Sequence, residues 1–429
     1  MLERLFQLQA NGTTVRREVI AGVTTFLTMA YIVFVNPSIL QIAGMDFGAV
    51  FMATCLAAAF GSAFMGLYAN YPIALAPGMG LNAYFTFGVV KGMGYTWEVA
   101  LGAVFISGLI FLLISVVKLR EMIVNAIPIS MKLGIAAGIG LFLAIIALKN
   151  ANIVVDHPAT LVTMGDVKSL PVLLAALGFA LIAALVSRKV PGAIIISILA
   201  ITFVSIPLGL TEFKGIASAP PSMAPTFLKM DLKGALDVGL WAIIFVFLFV
   251  DLFDNTGTLI GVAHRGGFLD KEGKLPRIGK ALIVDSASAS VGAALGTSTT
   301  TSYIESTAGV DAGGRTGLTA VVVALCFLLA IFFAPLAGTV PAFATAPALL
   351  YVACLMSMSL KDLEWDDVTE FVPAIVTAIT MPLTFSIAHG IGIGFICYAA
   401  IKILAGRAGD MKIAVPIIAG LFVVKLVVG

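Results

Sequence analysis

Residues 74–87 read ALAPGMGLNAYFTF, and residues 296–309 read GTSTTTSYIESTAG. Each stretch belongs to an apolar run that breaks partway. The first is interrupted by Pro77, Gly78 and Gly80, the second by Gly296, Gly309 and the hydroxyl run Thr297–Ser302. Proline removes a backbone donor and glycine loosens the chain, so neither stretch supports one continuous helix. In a bilayer, irregular backbone persists only where it lines a cavity or is buried in protein. If the chain is a membrane protein, a site is expected where these two stretches lie.

The composition says that it is one. Of 429 residues, 60% are hydrophobic and 11% charged, against about 25% charged in soluble domains. So little charge cannot cover a water-facing surface. With 25 Lys and Arg against 23 Asp and Glu the net charge is +2, so no basic face is available for nucleic acid. Outward from the two breaks, apolar runs lie at about 19–40, 47–69, 72–90, 97–117, 130–149, 169–187 and 190–209. After a polar connection carrying Pro220 and Pro221, a second set lies at about 237–260, 278–295, 296–311, 316–336, 343–359, 371–388 and 389–405. A last apolar piece, 412–428, is a terminal interfacial helix or a continuation of the final span. Fourteen spans take about 280 residues at roughly 20 each, which leaves no room for a soluble catalytic domain.

Seven runs and seven runs predict two halves of opposite orientation, the inverted repeat common among secondary transporters. The broken runs are the third and the tenth, which occupy corresponding places. With the N-terminus inside, eighteen Lys and Arg fall in cytoplasmic segments and six outside, Lys425 being unassigned. That bias predicts a cytoplasmic N-terminus and an even span count.

Four carboxylates stand within or beside apolar runs: Asp251, Asp254, Asp285 and Glu305. Each costs about 2.5–3.5 kcal/mol at mid-bilayer, so each must face water, a ligand or a partner. Asp251 and Asp254, three apart, share one helix face. Asp285, in VDSASAS, serves either function or a hydrogen bond to a neighbouring helix. Glu305 follows the hydroxyl run that contains Thr301. In the first broken run, Asn82 offers an amide that both donates and accepts. Tyr84, Phe85 and Phe87 offer stacking faces, or simply pack.

Other features read as structural. Cys55, Cys326, Cys354 and Cys397 are scattered singly and read as small core residues, with no metal spacing. His157 and His264 fall in loops and His389 at a span junction, none at ligand spacing. Gly134 and Gly138 form a GxxxG expected to pack helices closely. There is no Walker sequence and no sign of a cofactor, metal or catalytic group, so a non-enzymatic carrier is expected.

Four stretches then carry a resemblance: NGTTVRREVIAGVTTFLTMAYIVFVNPSIL (11–40), ALAPGMGLNAYF (74–85), FVDLFDNTGTLIGVA (249–263) and GTSTTTSYIESTAGVDAGGRTGLTAVV (296–322). They resemble the AzgA-like hypoxanthine/guanine purine permeases of the nucleobase–ascorbate transporter superfamily, over essentially the whole chain. The resemblance implies an all-α polytopic membrane protein of 14 spans in two inverted seven-helix repeats. Broken spans 3 and 10 would be short strands followed by half-helices. It divides this chain into a cytoplasmic segment 1–18, a core at 19–117 and 237–336, a gate at 118–210 and 337–429, and an extracytoplasmic connection 211–236. It further implies proton-coupled purine uptake across a bacterial inner membrane, by motion of core against gate, with a homodimer as a further expectation.

Carried over position by position, the substrate determinants fall on Asn82, Asp251, Asp254 and Glu305, with Asp285 matching an aspartate of span 9. The hydroxyl of Thr301 and the rings of Phe85 and Tyr84 complete the expected pocket between spans 1, 3, 8 and 10. Glu305 and Asp251 would accept from a purine rim and Asn82 would read a donor–acceptor pair. Histidine is absent from spans 1 and 8, so the proton carrier is expected among Asp254, Asp251 and Asp285. The alternative within the fold is an anion or organic-acid carrier, which would want cations where the broken runs hold Asn82 and Glu305. An intramembrane hydrolase would want carboxylates on separate helices, and a pure scaffold leaves the four carboxylates unexplained.

Overall fold

The computed structural model describes residues 2–117, 127–237, 240–270, 275–412 and 414–428. Helices α1 (Val15–Met29) and α2 (Ile32–Ile42) make one interrupted rod with its joint at Ala30 and Tyr31. Then come α3 (Phe47–Phe64), strand β1 (Leu75–Pro77), α4 (Met79–Ala83) and α5 (Trp97–Val116). Next are α6 (Ile129–Asn150), a hairpin of β2 (Val154–His157) and β3 (Leu161–Met164), α7 (Leu170–Ser187) and α8 (Ala193–Ser205). The second half holds α9 (Trp241–Gly266), α10 (Ile278–Leu295), β4 (Thr300–Ser302), α11 (Ser306–Asp311) and α12 (Gly317–Ala330). It ends with α13 (Ala342–Ser357), α14 (Val368–Leu383), α15 (Ile387–Leu404) and α16 (Ala414–Val428).

Among the described residues ten helices are long and apolar enough to cross a membrane, and three shorter apolar helices accompany them. The chain is a predominantly helical polytopic membrane protein. Helix starts are set by short polar side chains. Thr14 accepts from the Arg17 amide, Asp46 from the Ala49 amide at 2.7 Å, and Ser386 from the His389 amide; each cap is worth about 1 kcal/mol.

The helices fall into two packing groups. α10 lies along α5 and α12 on α1 and α3, while α13 and α14 flank α6, with α15 on α14 and α7 on α13. The GxxxG of α6 is a packing surface, as expected. A Cβ on Gly134 would meet the Ala374 carbonyl oxygen at 2.6 Å, and one on Gly138 the Met381 sulfur at 2.5 Å.

Several expectations need correction. The stretch between α6 and α7 is a β-hairpin, and His157 is the last residue of β2 rather than a loop residue. His264, also expected in a loop, lies in the last turn of α9, so the helix of span 8, expected to lack histidine, carries one at its end. Of the four cysteines only Cys55 is buried, and Cys354 is exposed. Lys118, Arg120, Lys271 and Lys274, used in the charge count, lie outside the described residues.

The acidic run before α14 is partly structural. Asp367 caps that helix through the Thr369 amide and hydroxyl and pairs with Arg407 at 2.7 Å. Those hydrogen bonds, from Thr369 first and Arg407 next, hold its carboxyl down at about 2. A lowered carboxyl contributes stability above its ordinary value of 3.8 and loses it only as pH falls through about 2. Any pH dependence of activity near neutrality has to arise elsewhere.

Candidate functional site

Both broken stretches are strand–helix units, and their strands pair. β1 and β4 run antiparallel, Leu75 opposite Ser302, Ala76 opposite Thr301 and Pro77 opposite Thr300. The Gly78 amide extends the ladder to the Thr299 carbonyl at 2.8 Å, and the Tyr303 amide to the Ala74 carbonyl at 3.0 Å. Because the strands are antiparallel, α4 and α11 leave from opposite ends of the pair. The strands come close: a Cβ on Gly78 would sit 2.8 Å from the Thr301 methyl.

A two-stranded ladder still has two outer edges whose amides need partners where no water reaches. Side chains from the flanking helices supply them. Ser62 of α3 accepts from the Leu75 amide at 2.9 Å, Ser306 from the Ala74 amide at 3.0 Å, and Asp285 of α10 from the Ser302 amide at 2.9 Å. The Asp285 oxygen also accepts from the Ser302 and Thr301 hydroxyls. Asp285 thus caps a strand edge, the structural alternative left open for it, and the Thr301 hydroxyl reaches that carboxylate at 3.3 Å.

At the β4 end, Glu305 directly precedes α11 and is partly buried. The Tyr31 hydroxyl, from the joint of the first rod, donates to its Oε1 at 2.6 Å. Asp254 of α9 lies close enough to Glu305 for their charges to act on each other. Tyr303 feels both carboxylates and donates its hydroxyl to the Pro77 carbonyl oxygen. Tyr351 of α13 feels Glu305 from the other packing group. Tyr31 and Glu305 are thus in direct hydrogen-bond contact, with Asp254, Tyr303 and Tyr351 within electrostatic reach of Glu305.

At the β1 end, Asn82 is fully buried. Its Nδ2 donates to Asn36 Oδ1 at 3.0 Å and faces the Met79 sulfur at 3.6 Å, while its Oδ1 has no partner among the described residues. The amide expected to donate and accept at once therefore has only its acceptor uncommitted. Tyr84 packs against Phe247 of α9 with ring centres 5.0 Å apart, and its hydroxyl lacks a partner among the described residues. Phe247, Asp251 and Asp254 follow one another along one face of α9, with Asp251 almost wholly buried. Phe85 belongs to the packed apolar core and presents no free face.

The structure thus sets Asp254 within electrostatic reach of Glu305, places Asp251 on the same helix face, and engages Asp285 and Thr301 at the β4 edge and Phe85 in the apolar core. Sequence reasoning passed over Tyr31, Asn36 and Tyr303. One signal was available: Asn36, beside Pro37, is an amide inside an apolar run, VFVNPS. Nothing in the sequence distinguishes Tyr31 or Tyr303 from an ordinary interfacial tyrosine.

Comparison with known proteins adds the following. The model of the Permease family (Xan_ur_permease) matches residues 16–393. The chain is 53% identical to the adenine permease AdeP of Escherichia coli (strain K12), covering 100% of this chain and 96% of that protein. It is 47% identical to the guanine/hypoxanthine permease PbuG of Bacillus subtilis (strain 168), covering 99% and 98% respectively. Among solved structures, the transmembrane domain of a cyanobacterium bicarbonate transporter, BicA, superposes with a TM-score of 0.65 over 87% of this chain and 96% of that domain. At 18% identity that likeness is one of fold.

Proposed function

From the premise that this chain belongs to the Permease family, matched along residues 16–393, we propose that it imports purine nucleobases together with protons. The supporting observation is the Tyr31–Glu305 hydrogen bond, with Asp254 and Tyr303 within electrostatic reach, beside a strand pair whose other end carries Asn82, its carbonyl oxygen without a partner among the described residues. A purine is a flat disc with N–H donors on its rim. Carboxylate and carbonyl oxygens accept from such donors. A site built to hydrogen-bond its ligand strongly rejects analogues that leave its groups unpaired.

In this reading Glu305 and Asp251 hold the base, Asn82 reads one further N–H, and Asp254 carries the coupled proton. The fourteen-span count comprises the ten long helices, the three shorter ones with α16 set aside, and the two strand–helix units. The core is then 19–117 with 237–336 and the gate 118–210 with 337–429, in line with the two packing groups. The N-terminus is cytoplasmic and the core slides against the gate with its cargo. Anion transport on the same fold is the weaker reading, because residues 75–87 and 297–311 contain no Lys or Arg.

The test is uptake of radiolabelled adenine, hypoxanthine and guanine in cells lacking their own permeases, with and without a protonophore, and with labelled sulfate as the anion control. Concentrative uptake of a base that collapses with the protonophore is expected. Sulfate uptake, or base uptake indifferent to the proton gradient, would reject the corresponding half of the proposal. For Asp254→Asn, concentrative uptake is expected to disappear while exchange of internal for external base continues. A variant that still concentrates purine would remove Asp254 from the coupling role.

A further inference from the structure

Asn82 is held by a buried chain of hydrogen bonds that runs through α2 to α3 and the start of the second broken stretch. Asn36 of α2 accepts from Asn82 Nδ2 at 3.0 Å. Its own Nδ2 donates to the Thr54 hydroxyl oxygen at 2.7 Å and the Thr297 hydroxyl oxygen at 2.8 Å. Thr54 in turn donates to the Val50 carbonyl at 2.7 Å. Asn36, Thr54, Asn82 and Thr297 are all fully buried, so each bond is made out of reach of water. In such surroundings a polar network rigidifies its members, and an unmade bond is costly. Asn36 uses both ends of its amide. The end left open is Asn82 Oδ1, fully buried and without a partner among the described residues.

We infer that Asn36 is a positioning residue: it holds the Asn82 amide with its nitrogen turned inward, so that Asn82 presents a carbonyl oxygen and selects a hydrogen-bond donor on the ligand. This rests on the proposed purine site and deepens it. With Asp251 of α9 and Glu305 before α11, the proposed site then draws acceptors from three elements. It favours bases that carry an exocyclic amino group or a ring N–H at the six-membered ring. Unsubstituted purine, with the same disc and ring nitrogens but neither of those donors, is the ligand it should reject. Asn36 does not touch the base. It decides which end of another amide does.

The experiment measures inhibition of labelled uptake by adenine, hypoxanthine, guanine and unsubstituted purine, for the full-length protein in cells. In the native protein, purine is expected to bind about tenfold or more weakly than the best base. Asn36→Leu keeps the bulk and removes the acceptor, and should shrink that ratio to about twofold. Thr54→Val, a milder change one bond further out, should shrink it in the same direction, and Thr54→Ser should restore it. In an Asn82→Ala background, Asn36→Leu should change the ratio no further. If Asn36→Leu and Thr54→Val weaken all four compounds equally, or if their effects add to that of Asn82→Ala, the inference is overturned and Asn36 merely packs. Should Asn36→Leu fail to reach the membrane, the Thr54 pair decides alone. Native protein that transports no base at all would instead overturn the proposed function.

Discussion

Glu305→Gln should raise the base concentration needed for half-maximal uptake by about a hundredfold, with the protein still folded and in the membrane. The reason lies in what the carboxylate does with two oxygens. Oε1 accepts from the Tyr31 hydroxyl at 2.6 Å, and in the proposed complex Oε2 accepts from a base N–H. A glutamine has one oxygen and one amino group. If its oxygen stays with Tyr31, an N–H meets the N–H of the base; if it turns, the Tyr31 hydroxyl must accept from the amide N–H and its own proton loses its acceptor. One contact is inverted either way. A hydrogen bond to a charged group contributes about 1.5–3 kcal/mol, and a buried group left unmatched adds about 1–3 kcal/mol. Kinetics of labelled uptake, normalised to protein in the membrane fraction, measures the change. An unaltered half-saturation concentration would take Glu305 out of the site.

The second large effect is on stability and lies in the other packing group. Lys402 of α15 is buried to 1% exposure and pairs with Glu370 of α14 at 2.7 Å. Tyr398 donates to the same Glu370 oxygen at 2.8 Å, and Ser130 of α6 donates to the other. One carboxylate thus ties together three helices. Removing Lys402 leaves the Glu370 charge, with 18% of its side chain exposed, without its counter-ion, a loss bounded by the cost of about 3–5 kcal/mol for fully buried pairs. Lys402→Met keeps most of the chain's bulk and is expected to lower the melting temperature of detergent-solubilised protein by roughly 5 °C or more. Lys402→Met with Glu370→Gln, which removes both charges, should recover much of the loss. If the single variant melts like the native protein, the cluster contributes nothing to the fold. Neither residue lies at the strand crossing, so this outcome is independent of the Glu305 result.

The candidate site was half legible in the sequence. Glu305, Asp254, Asp251 and Asn82 stood out because a polar group in an apolar run carries a solvation cost that the sequence itself displays. The same logic singled out Asp285, one of whose oxygens accepts from the Ser302 amide at the β4 edge at 2.9 Å. A carboxylate satisfied by backbone and one satisfied by a ligand look alike until the neighbours are known. Phe85 was offered as a stacking face on its position alone, yet it is wholly buried in the apolar core.

What the sequence determined by itself was whatever is local in the chain. Hydrophobic length makes spans, a proline or glycine breaks them, and an isolated carboxylate in an apolar run demands compensation; none of these needs a partner to be read. Which atoms meet was decided by tertiary packing alone. Tyr31 and Glu305 are 274 residues apart, and Asn36 and Asn82 are 46 apart. Hydrogen bonds between such segments follow from how whole helices seat against one another, and no local pattern records that. The same packing that turns the Asn82 nitrogen toward Asn36 leaves its oxygen without a partner among the described residues, a direction that the letter N at position 82 does not carry.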